Sequence, residues 1–221
     1  MKIIKAKAEI LTPLEDQDVQ KIYESIDRAG RTCYKSNGTG DPGKFVRKIV
    51  ENGHEAMIEH ASLTVLFTVD RGVSHELVRH RLASFAQEST RYCNYSQDKF
   101  GNELTFIEPC FWNDRYPSNT WHLMNEWKMA MRVAEKQYFT LLNMGAKPEE
   151  ARSVLPNSLK TEVVMTANLR EWRHFLKLRA AGVTGKPHPQ MLEVAVPLLN
   201  TLRERMPEVF GDIEAMREVT T

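Results

Sequence analysis

Between Arg79 and Tyr92 the chain places three arginines, a histidine, two serines and an amide within fourteen positions. Guanidinium groups are planar, doubly donating partners for phosphate oxygens, and the hydroxyls of Ser84, Ser89 and Thr90 and the Gln87 amide add neutral hydrogen bonds. That mixture suits a phosphorylated ligand carrying a heterocycle. The alternative is a solvated helix end with ordinary ion pairs. Solvated runs mix lysine with several acids, whereas this one has no lysine and a single acid, Glu88.

Other chemistries fit less well. Ser84 and Ser89 invite a nucleophile, with His80 near Ser84, but there is no G-x-S-x-G elbow, so serine hydrolysis is rejected. His54 and His60 are six apart and His75 and His80 five apart, neither being the i, i+4 pair of a helical zinc site. No metal is expected, although Glu55 and Glu59 could complete a carboxylate–histidine set for a metal-dependent nucleotide hydrolase. A nucleotide- or RNA-binding module is the other alternative, with Phe85, Tyr92 and Tyr95 interleaved for stacking. No G-x-G-x-x-G and no G-x-x-x-x-G-K-[ST] occurs, so a dinucleotide would be held without a Rossmann or Walker loop.

The elements that must position these residues are readable from periodicity. Residues 2–11 suggest an opening strand, and Glu15 to Ala29 is helical in spacing, ended by Gly30. Ser36 to Gly43 is a turn-rich loop, and Phe45 to Val50 a short helix closed by Asn52-Gly53. Leu63 to Val69 reads as a strand, broken at Asp70-Arg71-Gly72. Ser74 is then placed to cap a helix from His75 to about Arg81, which sets Arg79 and Arg81 on different helix sides. Leu104 to Ile107 is a further strand. A long helix spans about Asn119 to Met144, ended by Gly145. Pro148 starts a short helix that Pro156 closes, Thr161 to Thr166 is strand-like, and Leu169 to Ala180 is helical. On that helix Arg170 and His174 share a face, while Arg173 and Lys177 read as a solvated pair. A last helix runs through Met206, kinked or offset at Pro197. The expected fold is α+β, one domain over residues 1–221, with a central, mainly antiparallel sheet flanked by helices, one of them long.

A chain of 221 residues can bury one sizeable core. Its net charge of +1 supplies no global field toward nucleic acid or an anionic membrane. Cys33, Cys93 and Cys110 are odd in number and lack C-x-x-C spacing, which argues against a disulfide framework. Met1 to Lys7 lacks the apolar run of a signal peptide, and no stretch approaches the roughly 20 apolar residues of a membrane span. A cytoplasmic location is expected.

The order R-H-R, seven residues, S, one residue, R, met by Arg79, His80, Arg81, Ser89 and Arg91, resembles the signature of the flavin-dependent thymidylate synthases. Gly30-Arg31-Thr32-Cys33-Tyr34, Gly53-His54-Glu55, Glu59-His60-Ala61-Ser62, Asn168-Leu169-Arg170 and Leu178-Arg179-Ala180 resemble further blocks of that family, in order. The resemblance implies FAD held by Arg79, His80, Arg81, Gln87, Asn168, Arg170 and His174. It also implies dUMP held by Glu76, Arg79, Gln87, Glu88, Ser89, Thr90, Arg91, Arg152 and Arg179. Arg179 is implied as the catalytic residue, contacting the uracil edge and favouring ionisation at N3; its other reading is a cation at a helix C-terminus. The implied reaction is methylation of dUMP to dTMP, with methylenetetrahydrofolate as one-carbon donor and NADPH as reductant, in a homotetramer with shared sites. The departures are Ala56, where the family commonly has a small hydroxyl residue contacting flavin, and Ala86, where it often has a polar one.

Overall fold

In the computed structural model, residues 1–36, 38, 40–97 and 101–216 are described. The predicted Ser36–Gly43 loop therefore falls partly outside them, at Asn37 and Thr39. Two short strands, β1 (Lys2–Ile4) and β2 (Lys7–Ile10), stand where one opening strand was expected. They join different sheets: β1 pairs in parallel with β5 (Thr105–Ile107), Lys2 opposite Thr105. The larger sheet has the order β2, β3 (Ser62–Asp70), β6 (Lys160–Asn168), β4 (Ala83–Gln87). Partners on β3 and β6 run in opposite directions: Thr64 meets Thr166 at 2.9 Å, and three residues earlier Ala61 accepts from the Leu169 N–H, three residues later. Along β6, Thr161, Val163, Met165 and Ala167 alternate inward, the period of two that a pleated strand imposes. The class is α+β with a mainly antiparallel sheet and helices including one of 24 residues, as expected.

The chain forms two compact units, each drawn from three segments. The first comprises Met1–Lys7, Phe67–Arg79 and Ala86–Val163. Its core gathers Tyr95, Leu104, Phe106, Met131, Tyr138, Ala151 and Leu159. Helices α4 (Trp112–Arg115), α5 (Thr120–Asn143) and α6 (Pro148–Ala151) belong to this unit; Met131 and Tyr138 come from α5, which Gly145 ends at φ +95°. Within this unit α3 (Arg71–Leu77) begins one residue after β3 stops, without a break. Asp70 caps it, its Oδ1 accepting from the Val73 N–H at 2.6 Å, so the carboxylate takes the position expected of Ser74. Ser74 instead lies inside the helix, its hydroxyl donating to the Arg71 carbonyl. The earlier cap ends the helix earlier as well. Arg79 and Arg81 are not helical; both sit exposed in the turns leading to β4.

The second unit comprises Ala8–Leu66, His80–Phe85 and Val164–Thr221. It holds α1 (Asp16–Tyr34), α2 (Pro42–Glu51), a 3-10 turn at Glu55–His60, α7 (Leu169–Arg179), α8 (Pro189–Arg205) and α9 (Pro207–Phe210). Pro197 lies inside α8. Gly30 lies inside α1 instead of ending it, and the reason is packing. A Cβ on Gly30 would stand 2.4 Å from Cζ of Phe45 on α2, so any larger residue there must push the half-buried Phe45 ring aside. Gly30→Ala is expected to destabilise by about 1–3 kcal/mol through overpacking, despite better helix propensity. A melting temperature unchanged or raised in Gly30→Ala would refute that reading.

Candidate active site

Three residues of the second unit form a hydrogen-bonded chain, with a fourth, His174, packed against it. His80 follows the exposed Arg79 in sequence but is itself buried, with 5% of its surface exposed. Its Nδ1 lies 3.1 Å from Glu171 Oε1, and Arg179 Nε donates to its Nε2 at 3.2 Å. His174 meets the same ring at a tilt, centroids 5.8 Å apart. Glu171, His174 and Arg179 all come from α7, which Asn168 caps by accepting from the Glu171 N–H at 2.9 Å. Asn168 thus sets where the helix starts and keeps its amide nitrogen as a donor.

A carboxylate beside an imidazole ordinarily favours the imidazolium. Here burial, then Arg179 and His174, outweigh it, and His80 is lowered to about 4. Burial raises the Glu171 carboxyl above its ordinary value, with His174 opposing. Among the described residues, His80, Glu171 and His174 are the group able to bring metal-ligand atoms within 4.8 Å of one another. None of His54, His60 and His75 belongs to it. The Arg179 guanidinium, already bonded to the His80 ring, opposes a divalent cation there, so a hydrogen-bonded relay is the better description.

The remaining cofactor candidates of this unit are open to solvent. Arg170 is exposed and held by Glu59 at 2.6 Å, with Glu55 4.0 Å away. Arg81 and His174 are exposed too. The surface ion pairs of Arg170 hold little energy, so its guanidinium can turn to an anionic ligand at small cost. Arg173, read from sequence as solvated, is the opposite: its side chain is 2% exposed and bound to Glu55 and Asp212. The i, i+4 spacing with Lys177 identified a shared face but not which way that face points.

In the first unit, Gln87, the last residue of β4, and Glu88, just beyond it, bond to different partners. Gln87 donates to Ser74 Oγ at 3.0 Å and to Thr161 Oγ1 at 3.3 Å. The Glu88 carboxylate is committed elsewhere, accepting from Tyr95 at 2.9 Å and Lys160 at 3.0 Å. Ser89 closes a tight turn, its hydroxyl accepting from the Arg91 N–H and its carbonyl from the Cys93 N–H. Arg91 is exposed and 3.6 Å from Glu149. Arg152 donates to Thr90 Oγ1 at 3.3 Å, beside a cavity of about 230 Å³ that Arg71, Ser153 and Asn157 also line. The Arg71 Nη1 is buried without a hydrogen-bond partner. With guanidinium groups from both Arg71 and Arg152 on its lining, the cavity favours an anionic ligand. Sequence reading missed Arg71 and Glu171. For Glu171 a signal existed, its spacing of eight from Arg179 on one helix.

The family described as Thymidylate synthase complementing protein matches residues 17–208. A flavin-dependent thymidylate synthase of Corynebacterium efficiens is 33% identical over 211 residues, 90% of this chain and 82% of that protein. One from Geobacter sulfurreducens is 32% identical over 198 residues, 85% of this chain and 80% of that protein. Among solved structures, a UMP/dUMP methylase from Streptomyces cacaoi bound with 5-Br dUMP superposes with a TM-score of 0.74. It covers 96% of both chains at 24% identity, a likeness of fold.

Proposed function

The chain belongs to the flavin-dependent thymidylate synthase family, and on that premise we propose that it methylates dUMP to dTMP through the Arg179–His80–Glu171 relay of its second unit. The co-substrates are methylenetetrahydrofolate, the one-carbon donor, and NADPH, the reductant. Bound FAD supplies the hydride chemistry. The donor set fits that group: the exposed guanidiniums of Arg81 and Arg170 and the imidazole of His174 suit its pyrophosphate oxygens without a glycine-rich loop. Asn168 adds its amide nitrogen to that set; Arg79, His80 and Gln87 are proposed flavin contacts on the family resemblance alone.

The observation that carries the reading is the anchored guanidinium of Arg179. Methylation at uracil carbon 5 needs electron density there, which ionisation at N3 provides. A permanently charged group fixed beside the uracil edge stabilises that negative charge as it develops, without reorganising. No enzyme nucleophile is needed, and none is assigned to Cys33, Cys93 or Cys110. The nucleotide phosphate goes to Arg91, Ser89, Thr90 and Arg152, with Arg71 lining the same cavity as Arg152. Glu76, Arg79, Gln87 and Glu88 remain proposed nucleotide contacts, although the Glu88 carboxylate accepts from Tyr95 and Lys160 and its N–H donates to the Glu162 carbonyl.

Shared sites in a homotetramer fit what the surface exposes. Leu82 and Tyr92, within the signature, are 76% and 78% exposed. On α5, Trp121, Met129 and Val133 are exposed at spacings of eight and four, one apolar face. Among the described residues no helix is long and apolar enough to cross a membrane. A cytoplasmic setting is part of the proposal, resting on three cysteines without C-x-x-C spacing.

The test is the visible spectrum of the purified protein loaded with FAD, before and after dUMP, followed by assay of dTMP with both co-substrates. Flavin bands that shift on dUMP addition, and dTMP formed only when folate and reductant are present, are expected. A protein that retains no FAD, or forms no dTMP under those conditions, would overturn the proposal.

A further inference from the structure

Glu171, Phe175 and Arg179 recur every four residues along α7, so they share one face of that helix. The His80 ring lies along this face. It meets Phe175 edge-on with centroids 5.0 Å apart, Glu171 through Nδ1 and Arg179 through Nε2. An arginine Nε always carries hydrogen and has no lone pair to accept with. His80 Nε2 is therefore the acceptor. The one ring proton of the neutral imidazole then sits on Nδ1 and is donated to the Glu171 carboxylate. The opposite tautomer would set two N–H groups against each other at Arg179 and two acceptors against each other at Glu171.

From this geometry we propose that Glu171 is a positioning residue for Arg179: its carboxylate fixes the His80 tautomer, and through the ring it fixes the plane of the guanidinium. The inference rests on the catalytic reading of Arg179 given above. Long side chains lose orientation easily, and a guanidinium anchored at Nε can no longer rotate its Nη edge at will. Glu171 and His80 are both buried, where hydrogen bonds are electrostatically stronger than in water and reinforce one another along a chain. The lowered pKa of His80, at about 4, keeps the ring neutral at working pH and the relay intact. The carboxylate acts through His80 rather than on the uracil.

Nitrogen-15 spectra of histidine-labelled, flavin-loaded protein read the tautomer directly, with the His80 signals identified by their loss in His80→Asn. The wild-type ring is expected to show a protonated Nδ1 and an unprotonated Nε2 near pH 7.5. In Glu171→Leu the proton should move toward Nε2, and kcat should fall about 10- to 100-fold, since about 1 Å of misplacement costs on the order of 100-fold. The Michaelis constant for dUMP should change less than about threefold, because the interaction lost is made in the transition state. Glu171→Gln keeps a carbonyl acceptor and should recover the tautomer and most of the turnover. An imidazolium or an Nε2-protonated ring in the wild type would overturn the inference, as would a Glu171→Leu protein with unchanged tautomer and rate. Normal turnover in Arg179→Ala would instead strike the catalytic reading, because the tautomer is measured without turnover.

Discussion

Arg179→Ala is expected to lower kcat by about 10²- to 10³-fold, the loss seen when one preorganised donor to a developing oxyanion is removed. Flavin content should stay near wild type, because the proposed flavin contacts lie on other side chains, Arg81, Arg170 and His174 among them. Folding should tolerate the change: Arg179 is only half-buried and sits in the last turn of α7, where truncation leaves no large cavity. The loss should not be rescued by Arg179→Lys. Lysine keeps the charge but has no Nε–H to give His80 and no planar fork to present to a uracil edge. Rapid-mixing kinetics with saturating dUMP separate the chemical step from binding. Near-normal rates in Arg179→Ala would remove this residue from the mechanism.

Arg173→Met is expected to destabilise the protein by about 3 kcal/mol, the lower end of the range for breaking a buried ion pair. The Arg173 guanidinium gives two bonds to Asp212, at 2.6 and 2.7 Å, one to Glu55 at 2.9 Å, and one to the Val209 carbonyl. It therefore joins α7 to the 3-10 turn and to the chain beyond α9. The lower end applies because the partners left behind are partly solvated: Asp212 is half exposed, and Lys177 stands 3.6 Å from Glu55. For a chain of this size the melting temperature should fall roughly 6–12 °C, at about 2–4 °C per kcal/mol. The effect has a defined pH dependence. Hydrogen bonds from Arg173 hold the Asp212 carboxyl below its ordinary value. A carboxyl depressed on folding contributes stability that is fully present above its unfolded pKa of about 3.9 and is lost as pH falls through the folded value. The gap between wild type and Arg173→Met should therefore be widest near neutrality and narrow below about pH 4. Calorimetric scans at pH 7 and pH 3.5 check both parts; a gap under 2 °C at pH 7, or one that widens in acid, contradicts the account.

Arg173 shows where sequence reading stops. Its spacing from Lys177 is a property of any helix, and the sequence carries no mark of which side meets Glu55 and Asp212, 118 and 39 residues away. The helix boundaries near the signature were misread for a related reason. Asp70 and Ser74 are both good caps, and the choice between them depends on where β3 delivers the chain, so the predicted helix was placed four residues late. Gly30 was read as a stop because glycine usually is one. Only the approach of Phe45 makes it an interior residue.

What the sequence determined by itself was kind and order: an α+β chain, a long helix ended by Gly145, and an arginine–histidine signature specific enough to identify the family. These are local properties, set by periodicity, turn residues and fixed spacing, and they survive without any knowledge of the partner segments. Tertiary structure decided burial and pairing. It buried His80 while leaving Arg79 and Arg81 exposed, gave Gln87 and Glu88 different partners, and brought Glu171 to a histidine 91 residues away. Side-chain burial and hydrogen-bond partners are set by what the rest of the chain packs against each face, and that information is not local to any motif.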